Sequence, residues 1–178
     1  MSLSLSRNQR DEIHKYVKDR LEWGPDEYKI GLMDEWDNSR VPLVVGIPTK
    51  RKVDYSPMFV ILPDGSLVGR TYPDAFERIL AAYFTSLNDS DATALAQLAL
   101  WFGGFENVVG ALWTRDITGK IPKSQIKRSQ TEPALRITKK GFVISFYAYD
   151  YELLRLSDCT VTMESGGARF SSVKFSRQ

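Results

Sequence analysis

The chain has 178 residues, 43% of them hydrophobic, 26% charged and 12% aromatic, with a net charge of +2. That length suits one domain, or one with a helical appendage, able to bury roughly 70% of its unfolded surface without disulfides or metal. The composition excludes a disordered chain, and the weak charge gives little support to a dedicated nucleic-acid binder. Cys159 is the one cysteine and His14 the one histidine. No intramolecular disulfide or cysteine zinc site can form, and any catalytic triad, Cys–His dyad or histidine metal site would have to use His14.

The first residues, Met1–Ser6, show neither the basic start nor the apolar core of a signal peptide, so a cytoplasmic location is expected. Ser6-Arg7-Asn8-Gln9 reads as a capping box, opening a helix that runs to about Glu22, before Gly24-Pro25. Ile13, Tyr16, Val17 and Leu21 form its apolar stripe, with His14 at the edge, where a histidine is ordinarily a boundary residue. Residues 22–37 then carry Glu22, Asp26, Glu27, Asp34, Glu35 and Asp37 against Lys29. Trp23, Tyr28, Ile30, Leu32, Met33 and Trp36 are interleaved, which predicts a packed segment with a short second helix around Tyr28–Trp36. Asp34-Glu35-Trp36-Asp37 could hold a hard cation such as Mg²⁺, but solvated carboxylates around an anchored Trp36 is the simpler reading, and no metal or cofactor is expected.

Val41–Ile47 reads as a short strand, placed at a sheet edge by Pro42 and Pro48. Lys50-Arg51-Lys52 makes a basic loop. The apolar run Met58–Leu62 predicts a strand buried on both faces, Pro63-Asp64-Gly65 a tight turn, and Leu67–Arg70 the returning strand. Thr71-Tyr72-Pro73-Asp74 opens a helix whose Phe76, Ile79, Leu80, Tyr83, Phe84 and Leu87 keep a 3.6 period. Asn88-Asp89-Ser90 caps the next helix, with Leu95, Leu98 and Phe102 on one face and Gly103-Gly104 as its stop. Together they predict a two-helix hairpin. The apolar stretch Ala92–Trp113 is broken by Gln97, Glu106, Asn107 and glycines, so no membrane partner is expected.

Residues 114–132 read as an exposed basic loop carrying Lys120, Lys123, Lys127 and Arg128. Residues 133–177 predict a four-strand antiparallel meander. Phe142, Ile144, Phe146 and Ala148 alternate strictly, so one face of that strand is buried and the opposite face carries Val143, Ser145, Tyr147 and Tyr149. With Gly166-Gly167 in the last turn, Met163 would pair with Phe170. A bulge near Ser171-Ser172 would then bring Val173 opposite Val161 and Phe175 opposite Cys159. A parity switch between Leu156 and Cys159 predicts a bend at Ser157-Asp158.

The expected class is therefore α+β: a single domain with a curved antiparallel sheet, a C-terminal four-strand meander and a two-helix hairpin packed on it. Its parts are a helical segment (1–40), short strands (41–70), helices (71–113), the basic loop (114–132) and the meander (133–177). No phosphate-binding glycine loop or nucleophile elbow appears, and Cys159, sharing parity with Val161 and Met163, reads as a core residue. The expected function is non-enzymatic binding of a protein partner or of a second copy, through Tyr147, Tyr149, Lys120, Lys123, Lys127 and Arg128. Two alternatives stand beside it: a nucleic-acid-associated module using the tyrosine and basic residues, and a small-ligand protein or enzyme with a pocket between sheet and helices.

Overall fold

The computed structural model describes residues 5–32, 41–49, 56–103, 108–111, 132–150, 155–165 and 170–177. The chain forms two units, Met1–Tyr83 and Phe84–Gln178.

In the first unit, helix α1 spans Arg7–Leu21. The Ser6 hydroxyl accepts from the Gln9 backbone N–H, and the Gln9 side chain accepts from the Ser6 N–H, so the capping box forms as expected. Glu22 ends the helix in the left-handed conformation, φ 56°, and its N–H donates to the Lys18 carbonyl. A short 3₁₀ turn, Pro25–Glu27, follows and leads directly into strand β1, Tyr28–Leu32. The short helix expected over Tyr28–Trp36 is thus a strand over its first five residues; the rest lies outside the described residues. Ladder bonds to β2, Leu43–Pro48, override the local preference, with Tyr28 opposite Pro48 and Ile30 opposite Gly46.

Strands β3 (Met58–Ile61) and β4 (Leu67–Gly69) complete a four-stranded antiparallel sheet in the order β1-β2-β3-β4. The expected edge position of the 41–47 strand is wrong: β2 is internal, between β1 and β3. Its prolines flank the ladder, Pro42 before the strand and Pro48 as its last residue, so neither interrupts the central bonds. Phe59 and Val60 are both buried although they point to opposite faces, as the unbroken apolar run predicts. Gly65 takes the turn at φ 83°. α1 covers the face that carries Tyr28, Val44, Phe59 and Leu67, joining Ile13, Tyr16, Val17 and Trp23 in one core. The Tyr16 ring meets Phe59 edge-on at 4.9 Å. Helix α2, Ala75–Tyr83, lies against β4 with Phe76, Ile79 and Leu80 buried.

In the second unit, Asn88 accepts from the Ser90 N–H, and the buried Asp91 carboxylate accepts from the Asn88 N–H. This double cap starts a 3₁₀ turn, Asp89–Asp91, that runs into helix α3, Ala92–Phe102. Strands β5 (Val108–Ala111), β6 (Ala134–Thr138), β7 (Gly141–Asp150), β8 (Arg155–Ser165) and β9 (Phe170–Arg177) form one antiparallel sheet. The segment 108–111, expected among the helices, is a strand because it finds β7 as a ladder partner. The α+β class and the consecutive pairing of β6, β7, β8 and β9 are present. The helical pair is divided, however: α2 lies on the first unit's sheet, whereas α3 lies against β5, β6 and β7. Each stripe is buried against the sheet of its own unit.

Phe142, Ile144, Phe146 and Ala148 on β7 and Cys159, Val161 and Met163 on β8 are all buried on one face. The β7–β8 ladder runs from Gly141 opposite Glu164 to Asp150 opposite Arg155 without a register shift. No register shift therefore accompanies the bend expected at Ser157-Asp158, and Leu156 pairs with Tyr149. The bulge expected near Ser171-Ser172 is present: Glu164 faces Ser172 and Ser165 faces Phe170, which leaves Ser171 extra. The flanking register differs by two residues, with Met163 opposite Val173 and Val161 opposite Phe175. The connection is residues 166–169 rather than two glycines alone. At the β6–β7 turn Gly141 has φ 150°, and a Cβ there would lie 1.9 Å from the Met163 carbonyl oxygen, so only glycine fits.

Two outcomes follow from this one-sided burial. Phe146→Ala should cost about 3–5 kcal/mol in a urea melt, whereas its exposed neighbour Ser145→Ala should stay within about 0.5 kcal/mol. Equal costs would mean the faces are reversed. Cys159, with none of its surface exposed, should react with a thiol reagent only slowly when folded and rapidly in denaturant.

Candidate functional site

The tight exit from α1 builds a cleft in the first unit. Glu22 reverses the chain, the Gly24 N–H donates to the Glu27 carboxylate at 2.8 Å, and the 3₁₀ turn delivers Tyr28 back beside the helix. The Tyr28 ring then lies 6.2 Å from Trp23 and 5.5 Å from His14, centroid to centroid. The Tyr28 hydroxyl and His14 Nδ1 are hydrogen-bonded. Burial pushes the Tyr28 phenol above its ordinary pKa, so it keeps its proton. In the tautomer in which Tyr28 donates to Nδ1, His14 Nε2 carries an N–H. His14 is half-buried, which agrees with its expected place at the edge of the stripe.

The cleft has a volume of 780 Å³, and its walls include His14, Lys15, Lys18, Glu22, Trp23 and Tyr28. Trp23 is only 6% exposed, and its indole N–H meets no acceptor among the described residues. Trp and Lys side chains are donors only. Lys15 lies 3.9 Å from Asp19 in an exposed pair of little energetic weight. Opposing an anion here is the carbonyl end of α1, worth about 0.3–1 kcal/mol. A hydrogen bond to a charged acceptor contributes about 1.5–3 kcal/mol, so two donors outweigh the helix end. Residue order alone does not mark this site. Its signal was Trp23 and Tyr28 straddling Gly24-Pro25, and those aromatics also read as plain core.

In the second unit, β6 is the exposed element. Ala134, Arg136, Ile137 and Thr138 are exposed and Leu135 is half-buried. Ile137 shares a face with the buried Phe142 opposite it, yet is 52% exposed. Among the described residues β6 pairs only with β7. A hollow of 390 Å³ at the hairpin end is lined by Lys139, Lys140, Phe142, Met163 and Glu164 among others.

Of the residues expected to bind, Tyr147 is half-buried on β7 and stands directly opposite Asp158, on the face that also carries the exposed Ser145. That face is the one opposite the buried stripe. Tyr149 occupies the same parity, paired with Leu156. Lys120, Lys123, Lys127 and Arg128 lie outside the described residues, as do Asp34–Asp37 and Lys50–Lys52. Among the described residues no three His, Cys, Asp or Glu side chains group so as to hold a metal ion, and no helix is long and apolar enough to cross a membrane. Comparison of the chain with known protein families, with curated proteins and with solved structures finds no match.

Tyr72 and Tyr83, like Tyr28, are raised above the ordinary phenol pKa, mainly by burial. A raised folded pKa means stability that is complete below the unfolded value, about 10, and is lost as pH climbs through the folded value. In an alkaline absorbance titration these three of the 8 tyrosines should ionise only above the ordinary phenol range, and the melting temperature should fall as they do. Ionisation of Tyr28, Tyr72 and Tyr83 in the ordinary phenol range at constant melting temperature would contradict their burial.

Proposed function

We propose that the protein is a non-enzymatic binding domain that engages a protein partner as a strand added along β6. The observation that supports this most is the exposure of four of the five β6 residues on a strand paired on one side only among the described residues. Such an edge presents a row of backbone donors and acceptors, and side chains alternating along it supply selectivity. Ile137 offers an apolar anchor. Arg136, Lys139 and Lys140 surround it, all exposed, so the favoured occupant is an extended acidic segment. The basic segment with Lys120, Lys123, Lys127 and Arg128 leads into β6 along the chain and adds to the same charge. A second copy of the basic edge is disfavoured by like charge. Nucleic acid is disfavoured at Tyr147 by the Asp158 carboxylate opposite, which repels phosphate.

A photo-crosslinking side chain placed at position 137 should capture a discrete acidic protein, with capture falling severalfold in Arg136→Ser/Lys139→Ser/Lys140→Ser. The same group at position 145 should capture little. The purified partner should slow amide exchange across Ala134–Thr138, less so at high salt. Equal capture at 137 and 145, or unchanged exchange in β6, would sink the strand-addition reading.

A further inference from the structure

We propose that the cleft at the C-terminal end of α1 is a separate binding site that takes a small organic monocarboxylate with a planar apolar body. Its 780 Å³ suits a small molecule, since ligand pockets run from about 300 to 1,000 Å³. Trp23 and Tyr28 supply aromatic wall for a flat apolar body. Apart from the Glu22 carboxylate, the side-chain polar groups of the lining residues that have no partner among the described residues are donors: the Trp23 indole N–H, the Nε2 side of His14 and the Lys18 ammonium. Lys15 is already beside Asp19, which leaves Lys18 as the cation for the ligand. An acceptor-only, singly charged group complements that set. The Glu22 carboxylate on the wall and the carbonyl end of α1 count against a doubly charged group such as phosphate. The Tyr28–His14 hydrogen bond holds the imidazole at Nδ1, and in the tautomer in which Tyr28 donates, Nε2 is free to act as a further donor. Binding in this cleft does not depend on strand addition at β6, and either can fail without the other.

The test is a titration of the full-length, ¹⁵N-labelled protein with sodium 2-naphthoate, following the indole N–H signals of its 4 tryptophans. Trp23→Phe assigns the relevant signal. That signal should shift saturably while the other three stay still. Lys18→Ala and His14→Ala should each weaken binding about tenfold, the loss of one charge-assisted hydrogen bond. 2-Naphthylmethylamine, of similar shape and opposite charge, should bind far more weakly. Lys18 is exposed on α1, so its variant remains informative if His14→Ala disturbs folding. The proposal is overturned if the Trp23 signal does not move, if Lys18→Ala leaves the affinity unchanged, or if the amine binds as well as the carboxylate.

Discussion

Strand β7 is the element on which the second unit depends. It is paired along its whole length with β8, and along its other edge first with β6 and then with β5. A ten-residue strand with partners on both edges satisfies most of its own backbone groups and one edge of each of three neighbours. Its alternation does the rest: Phe142, Ile144, Phe146 and Ala148 give α3 an apolar floor, and the residues between them form the open side. Register is held firmly because a slip of one residue would expose four apolar side chains at once. Gly141 pins one end of that register, since its close approach to Met163 tolerates no side chain. β6 is paired on one side only among the described residues. It therefore retains the exposed residues on which the proposed strand addition rests.

The first unit meets a different constraint. Phe59 and Val60 bury opposite faces of one strand, so the sheet needs cover on both sides. α1 provides it on one face through Ile13, Tyr16 and Val17. Because α1 must then pass the chain back to the sheet edge, Glu22 adopts the left-handed conformation and Gly24-Pro25 turns tightly. The cleft is a by-product of that reversal. Trp23 and Tyr28 are drawn together beside His14, and the helix end keeps Lys18 at the rim. One local solution to helix exit thus sets both the aromatic wall and the donors.

Elements governed by local chemistry were legible in the residue order. The Ser6 capping box, the Gly65 turn and the β7 alternation each depend on neighbours within a few positions and are found where expected; the α2 stripe is found through Tyr83, where the helix ends, which leaves Phe84 and Leu87 beyond it. The bulge at Ser171 was legible too, because a parity change along a strand leaves a trace in the hydrophobic pattern. The register around it was not, because it depends on how many residues the connection takes up. Tyr28–Leu32 was misread as helix since its short pattern of aromatic and aliphatic residues fits either period. Val108–Ala111 was missed since four residues carry too little periodicity to stand apart from an apolar stretch.

By itself the sequence determined the α+β class, the capped first helix, the one-sided burial of β7 and the shortage of histidine and cysteine that limits the chemistry. These follow from composition and from short-range periodicity. Tertiary structure alone decided that β2 is internal, that α2 and α3 serve different sheets, and that β5 and β6 share one edge of β7. It also decided that His14, Trp23 and Tyr28 meet around one cleft. Which strand finds which edge, and which helix covers which face, depends on pairing across long stretches of chain, where the choice goes to the arrangement that leaves the fewest backbone groups and apolar faces unsatisfied.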